Sequence, residues 1–398
     1  MESGKWKVNF KIKKIPSPEF LSFAQLNLKF YPLPQGARDT ETIQKLNYVR
    51  STSHKGRGIQ KQFRNLITYV VPPTRGGGKI ERKDKTMLSK QELLDLYNMD
   101  LDKLLNESKK YLKDEVEFCS IINARSGKCS QNCKYCAQSS HYNTDIESFP
   151  LIDVETVVKA AHDSVENGAD RVAIVTSGKS PDESDFDTML EMIKALNKEG
   201  IKSCASIGIL NEEQAKKLAE AGLVRFHHNI NTCKSYHPEI CTTHTYEDRL
   251  NTTKLVKKYG MELCSGVILG MGESVEQRIE MALELAEINP DSIPVNILTP
   301  IPNTPFEKYG DKIDEENILR TLAVFKIACP NASIRIAGGK KARLSEETIE
   351  KAFKYCADST IVGNYLTTTG FSPDEDAKLI HKIGRKLKSE KELTNVTV

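Results

Sequence analysis

No run in the 398 residues approaches the roughly 18 uninterrupted apolar residues that a membrane-spanning helix requires, and no charged-then-apolar secretory leader opens the chain. Both absences set the expectation of a soluble cytosolic protein. Also missing is an interleaved set of aromatic side chains on a basic background, the platform on which single-stranded nucleic acid stacks. Acidic residues are scarce in one place: residues 1–86 hold 18 Lys/Arg against 6 Asp/Glu, whereas the remainder holds 39 against 48. The net charge of +3 therefore belongs to the first segment. That segment has no sustained helical or alternating pattern and carries YPLPQGA and VPPTRGGGK, so it reads as an irregular or disordered extension. A nucleic-acid-binding arm or an organelle-targeting leader would carry the same charge. Met87, directly before a helix-like stretch, is an alternative translation start.

Hydrophobic residues make up 39% of the chain, enough for a substantial core. From about residue 115 short β-branched runs alternate with longer amphipathic stretches, the pattern of repeated β-α units around a parallel sheet. Eight such runs stand out: 116–122, 171–177, 202–208, 224–230, 261–269, 291–298, 332–338 and 359–365. Helical stretches between them, such as VETVVKAAHDSVENG and YEDRLNTTKLVKKYG, end in glycine as a stop signal. Eight units predict a closed (β/α)8 barrel over residues 87–385, an α/β fold of the TIM type, followed by a polar tail at 386–398. A doubly wound open sheet would need fewer strands.

Ten cysteines without a leader do not suggest a disulfide framework, because cytosolic thiols stay reduced. Cys129, Cys133 and Cys136 follow the first strand at CxxxCxxC spacing. Such a loop can hold three irons of a 4Fe-4S cluster and leave the fourth open to a small molecule. A zinc site with His141 as fourth ligand is the alternative. Cys119, Cys204 and Cys264 fall in predicted strands 1, 3 and 5, and Arg335 interrupts an apolar seventh strand. Alternate strands of such a barrel contribute one inward layer, so these four residues can meet inside it. Each cysteine by itself would read as a small core residue. Cys233, Cys241, Cys329 and Cys356 share no spacing and receive no role.

The CxxxCxxC motif is the signature of the radical S-adenosylmethionine superfamily, and the longer string NARSGKCSQNCKYCAQSSHYNT resembles the biotin synthase family in particular. Similarity continues over residues 88–385 through HHNINT, TTHTYEDRLNT, CSGVILGMGE, SIPVNILTPIPNTP and IRIAGG. The resemblance implies a radical sulfurtransferase. A 4Fe-4S cluster on Cys129, Cys133 and Cys136 would reduce S-adenosylmethionine to a 5'-deoxyadenosyl radical. Sulfur from an auxiliary cluster would then be inserted between C6 and C9 of dethiobiotin. It implies auxiliary-cluster roles for Cys204, Cys264 and Arg335. At strand 2, however, the family cysteine aligns with Ala173, and Cys119 on strand 1 is additional, so the auxiliary cluster is 2Fe-2S or a larger variant.

By the same resemblance Tyr135, Asn229, Asn231, Arg249, Gly270 and Gly272 contact S-adenosylmethionine, and Asn229 and Asn296 contact dethiobiotin. Asn229 and Asn231, two apart, are expected on one side of an extended strand. A flavodoxin or ferredoxin-type electron donor and a homodimer are implied, with no membrane or nucleic-acid partner. The rival readings are a related radical enzyme without sulfur insertion, resembling the hydrogenase maturases, and a metal-stapled nucleic-acid-binding protein.

Overall fold

The computed structural model describes residues 87–310, 312–363 and 370–389. The basic extension at 1–86 lies outside the described residues, as does most of the expected tail. Ten strands occur among the described residues. They are β1 (Glu115–Arg125), β2 (Arg171–Thr176), β3 (Ser203–Ser206), β4 (Arg225–His227), β5 (Glu262–Cys264), β6 (Val267–Leu269), β7 (Ser292–Ile297), β8 (Ser333–Ile336), β9 (Ser359–Ile361) and β10 (Lys386–Leu387). Pairing runs β1-β2-β3-β4-β5-β7-β8-β9 and closes through β1–β9, all parallel, which makes the expected eight-stranded barrel.

The helices between strands are built as their sequences dictate. Val154–Glu166, Glu183–Lys198, Glu212–Glu220 and Tyr246–Lys258 each start at an Asp, Asn or Thr cap whose side chain accepts a backbone N–H three residues on. Gly168, Gly200, Gly222 and Gly260, just beyond their ends, take positive φ as left-handed stops. Before the barrel, the helix-like stretch after Met87 forms two helices, Lys90–Tyr97 and Leu101–Lys109, parted where Asp100 caps the second. Both pack on the helix Glu315–Ala328. No helix among the described residues is long and apolar enough to cross a membrane.

Two differences from the sequence reading bear on the site. The fifth run splits into β5 and β6 at Ser265 and Gly266, where the chain presses against β7. A Cβ on Gly266 would stand 1.9 Å from the Pro294 carbonyl oxygen, so only glycine fits. The segment 386–398 does not begin as a tail: Lys386 and Leu387 pair with Glu115 and Val116, and Lys388 Nζ reaches Glu117 at 3.1 Å.

Candidate active site inside the barrel

The loop after β1 is folded back on itself at the mouth where the strands end. Gly127, at φ 78°, turns it so tightly against Ser148 that a Cβ would overlap the serine hydroxyl. Cys129 N–H donates to the Gln138 carbonyl at 2.9 Å and Ser140 N–H to the Cys129 carbonyl at 2.8 Å. These bonds hold Cys129, Cys133 and Cys136 in one turn, the first two buried and the third half-buried. Burial pushes the Cys136 thiol up to about 11. His141 Nε2 lies 3.2 Å from the Ser130 carbonyl, engaged with backbone of the same loop.

The segment 241–244 docks on this loop instead. Asn132 Oδ1 accepts from Thr242 N–H at 3.0 Å, and Asn132 N–H donates to Thr243 Oγ1 at 3.0 Å. Cys241, left without a role by sequence spacing, is thereby brought 3.6 Å from Cys133 Sγ and 3.2 Å from His244 Nδ1. The hydrogen bond between the two thiols drives them apart in acidity, Cys133 upward and Cys241 downward. Arg249 Nε donates to His244 Nε2 at 2.9 Å, which leaves Nδ1 as that ring's N–H. Its NH1 donates to the Asn229 carbonyl at 2.8 Å, so the Arg249 side chain ties the segment 241–244 to the loop after β4.

Asn229 and Asn231 do not share an extended strand. β4 ends at His227, and Asn231 takes φ 69° in the left-handed region. Asn229 Oδ1 accepts from Gly266 N–H at 2.9 Å, and Asn231 Nδ2 donates to the Tyr135 hydroxyl at 2.7 Å. In the next loop, Glu273 accepts from Gly270 and Met271 N–H, both at 2.8 Å, and so shapes a turn with Gly270 and Gly272 at positive φ. Gly272 abuts Tyr236 and Tyr309, and a small apolar cluster of Cys133, Ile240, Cys241, Ile268, Met271, Leu298 and Phe306 underlies the mouth. Asn296 on β7 spans two backbones, donating to the Val267 carbonyl at 3.3 Å and accepting from Gly338 N–H at 2.9 Å. One amide hydrogen and one lone pair remain on it for a ligand.

Deeper in the barrel, Cys119, Cys204 and Cys264 are all buried and Arg335 is 5% exposed. Cys204 sits level with Ala173 on β2, so the expected cysteine position is an open methyl beside a thiol. Arg335 NH1 lies 3.6 Å from Cys264 Sγ. Burial pushes the Cys119 and Cys204 thiols up to about 12. For Cys264 burial acts the same way but is outweighed by Arg335, His227 and Arg225, which bring it down to about 6. His227 Nδ1 is 3.3 Å from that sulfur. The donor set of soft thiols beside fixed positive charge fits an anionic iron-sulfur group.

Beneath these thiols lies a charged layer that the sequence reading missed. Glu117 accepts from Arg225 NH1 at 2.9 Å and from Arg335 NH2 at 3.1 Å, and Arg171 Nε stands 3.9 Å away. Burial would raise its carboxyl, but the three arginines and Lys388 hold it far below the usual carboxylate range. Glu117, Arg171 and Arg225 are each, in the sequence, a lone charge near the start of a strand, and only Arg335 stands out there. Only the closed barrel turns them toward a common axis.

Two family models match most of the barrel. A Radical SAM superfamily model matches residues 124–286, and the Biotin and Thiamin Synthesis associated domain matches 294–386. A biotin synthase of Acetivibrio thermocellus is 47% identical over 323 residues, covering 81% of this chain and 95% of that protein. One of Clostridioides difficile is 42% identical over 324 residues, covering 77% and 98%. Among solved structures, methylornithine synthase superposes with TM-score 0.66 at 16% identity over 78% of this chain and 97% of that one. The FeFe-hydrogenase maturase of Carboxydothermus hydrogenoformans gives 0.65 at 17% over 74% and 75%. At such identities these two structures establish the barrel and nothing about chemistry.

Proposed function

Because the chain belongs to the biotin synthase family of radical S-adenosylmethionine enzymes, we propose a division of that family's reaction among the residues described above. The reaction inserts sulfur between C6 and C9 of dethiobiotin. When bound, the 4Fe-4S cluster with S-adenosylmethionine supplies the hydrogen-abstracting radical and the auxiliary cluster supplies the sulfur.

Cys129, Cys133 and Cys136 hold the first cluster. Arg249 takes the methionyl carboxylate, since a guanidinium suits carboxylate geometry. Tyr135 and Asn231, bonded to each other, form the wall toward the ribose, and the turn at Gly270 and Gly272 lets backbone approach the adenine. Asn229 and Asn296 position the ureido ring of dethiobiotin between the two clusters. Cys119, Cys204 and Cys264 hold the auxiliary cluster, with Arg335 against it and the charged layer closing the barrel below. The chain's own work is thus binding, orientation and exclusion of water. An electron donor of the flavodoxin or ferredoxin type, a homodimeric state and a cytosolic location complete the proposal.

The observation that carries this reading is the set of three buried thiols with Arg335 inside the barrel, beneath a second, separate set of three at its mouth. Iron, sulfide and Mössbauer analysis of anaerobically purified protein tests it. Wild type is expected to hold two clusters, and a variant with Cys119, Cys204 and Cys264 all changed to alanine only the 4Fe-4S cluster, without biotin formation. An unchanged iron content and spectrum in the variant refutes the assignment.

A further inference from the structure

Cys241 has no part in the division of labour above, although its sulfur lies 3.6 Å from that of Cys133. Its place is fixed on both sides: Lys134 N–H donates to the Ile240 carbonyl at 2.9 Å, and Thr242 N–H to Asn132 Oδ1 at 3.0 Å. Cys241 is 3% exposed, Cys133 7% and His244 5%, so little water competes at this pair of sulfurs. Each iron of a 4Fe-4S cluster takes one cysteine besides its inorganic sulfides, so the iron on Cys133 has no place for a second thiolate. With Cys133 bound to iron, its sulfur is an acceptor, and Cys241 is left as the donor.

Two oxygens compete for that hydrogen, Asn132 Oδ1 and Thr243 Oγ1, each 3.4 Å from Cys241 Sγ. Asn132 Oδ1 already receives Thr242 N–H, Thr243 N–H and the Thr243 hydroxyl, more than its two lone pairs need. Thr243 Oγ1 accepts from Asn132 N–H at 3.0 Å. An iron-bound thiolate is anionic and makes the stronger bond. His244 completes the chain. Arg249 Nε donates to its Nε2 at 2.9 Å, so Nδ1 carries the hydrogen, shared between Gln131 Oε1 at 2.9 Å and Cys241 Sγ at 3.2 Å. An N–H bonded to the Cys241 sulfur polarises it and strengthens its S–H as a donor.

We propose that Cys241 is a positioning residue for the CxxxCxxC cluster: its thiol donates to the Cys133 sulfur, and His244 joins that bond to Arg249. The proposal rests on the assignment of the 4Fe-4S cluster to Cys129, Cys133 and Cys136 made above. A hydrogen bond to a ligand sulfur favours the reduced, more negative cluster and so raises its reduction potential. Since Arg249 also takes the methionyl carboxylate, the chain runs from the clamp on S-adenosylmethionine to the cluster that reduces it.

The test is an EPR-monitored redox titration of anaerobic holoenzyme, following the cluster signal that changes when S-adenosylmethionine is added. Cys241→Ala should lower the reduced-to-oxidised ratio of that cluster about 3-fold at a given potential, a downward shift of roughly 30 mV for one electron. Cys241→Ser, which keeps a donor, should lie closer to wild type. His244→Gln leaves Cys241 in place but removes the N–H that polarises it, and should shift the midpoint the same way by less. A role in apolar packing alone predicts the reverse order, with alanine tolerated and serine harmful. An unchanged midpoint in Cys241→Ala, or equal shifts in the alanine and serine variants, overturns the proposal. If Cys241→Ala does not assemble the cluster, His244→Gln carries the test, and an unshifted midpoint there overturns the proposal. Wild-type protein without a cluster signal that responds to S-adenosylmethionine overturns instead the reading of the mouth loop on which it rests.

Discussion

Replacing Glu117 by glutamine removes the one carboxylate around which three arginines and a lysine gather, while keeping nearly the same shape. Glu117 is 7% exposed, with Arg225 at 2.9 Å and both Arg335 and Lys388 at 3.1 Å. At an effective dielectric of about 20, one contact near 3 Å corresponds to roughly 5 kcal/mol of gross attraction, much of it cancelled by desolvation. Removing one partner leaves the desolvation of the others uncompensated, so Glu117→Gln should cost about 3–5 kcal/mol. Glu262 also pairs with Arg171 and Arg225, but its side chain is 40% exposed, and Glu262→Gln should cost under about 1 kcal/mol because water screens it. The assay is anaerobic urea unfolding followed by circular dichroism, with free energies from linear extrapolation. Since the folded-state pKa of Glu117 is depressed, its stabilisation is fully present above the unfolded value of about 4.3 and is lost only as pH falls below it. The deficit should therefore hold steady from pH 8 to about 5 and narrow at lower pH. A deficit below about 1 kcal/mol, or one equal to that of Glu262→Gln, refutes the account of the charged layer.

Three further outcomes are expected. Arg249→Lys cannot reach both His244 and the Asn229 carbonyl, and should weaken S-adenosylmethionine binding by on the order of 10-fold in calorimetry, with cluster content unchanged. Gly266→Ala must displace the Pro294 carbonyl and break the bond from Gly266 N–H to Asn229; a cost of about 3 kcal/mol or more in urea unfolding is expected, and a neutral result would show that the close approach is dispensable. Burial raises the Glu284 carboxyl to about 7, so its contribution is fully present below the unfolded value and is lost as pH rises through 7. Glu284→Gln should accordingly gain about 1–2 kcal/mol at pH 8 and nothing at pH 4, read from thermal unfolding at the two pH values.

The eight strand positions and the CxxxCxxC loop were legible because periodicity and spacing are local properties of the chain. What was not legible arises between distant segments. The break at Gly266 depends on Pro294 of another strand. Asn231 looked extended by its neighbours, yet its left-handed backbone is fixed by bonds to Gly266 and Ile268 across the mouth. Cys241 had no motif of its own, and acquires meaning only from Cys133, over 100 residues away in the chain. Lys388 was assigned to a tail because its partner, Glu117, is 271 positions distant.

Strand β1 is the longest of the barrel, 11 residues from Glu115 to Arg125. It carries Glu117 of the charged layer, then Cys119, and runs directly into the loop of Cys129, Cys133 and Cys136. With Cys119 on β1, the deep site and the mouth share one continuous stretch of backbone. The span from Cys119 to Asn123, about 13 Å of extended chain before the register shifts toward Arg125, acts as a ruler between them. Their separation is then set by covalent geometry, and a slip of one residue in β1 would turn Cys119 out of the interior and drag the mouth loop with it. In this chain the strand itself keeps the interval.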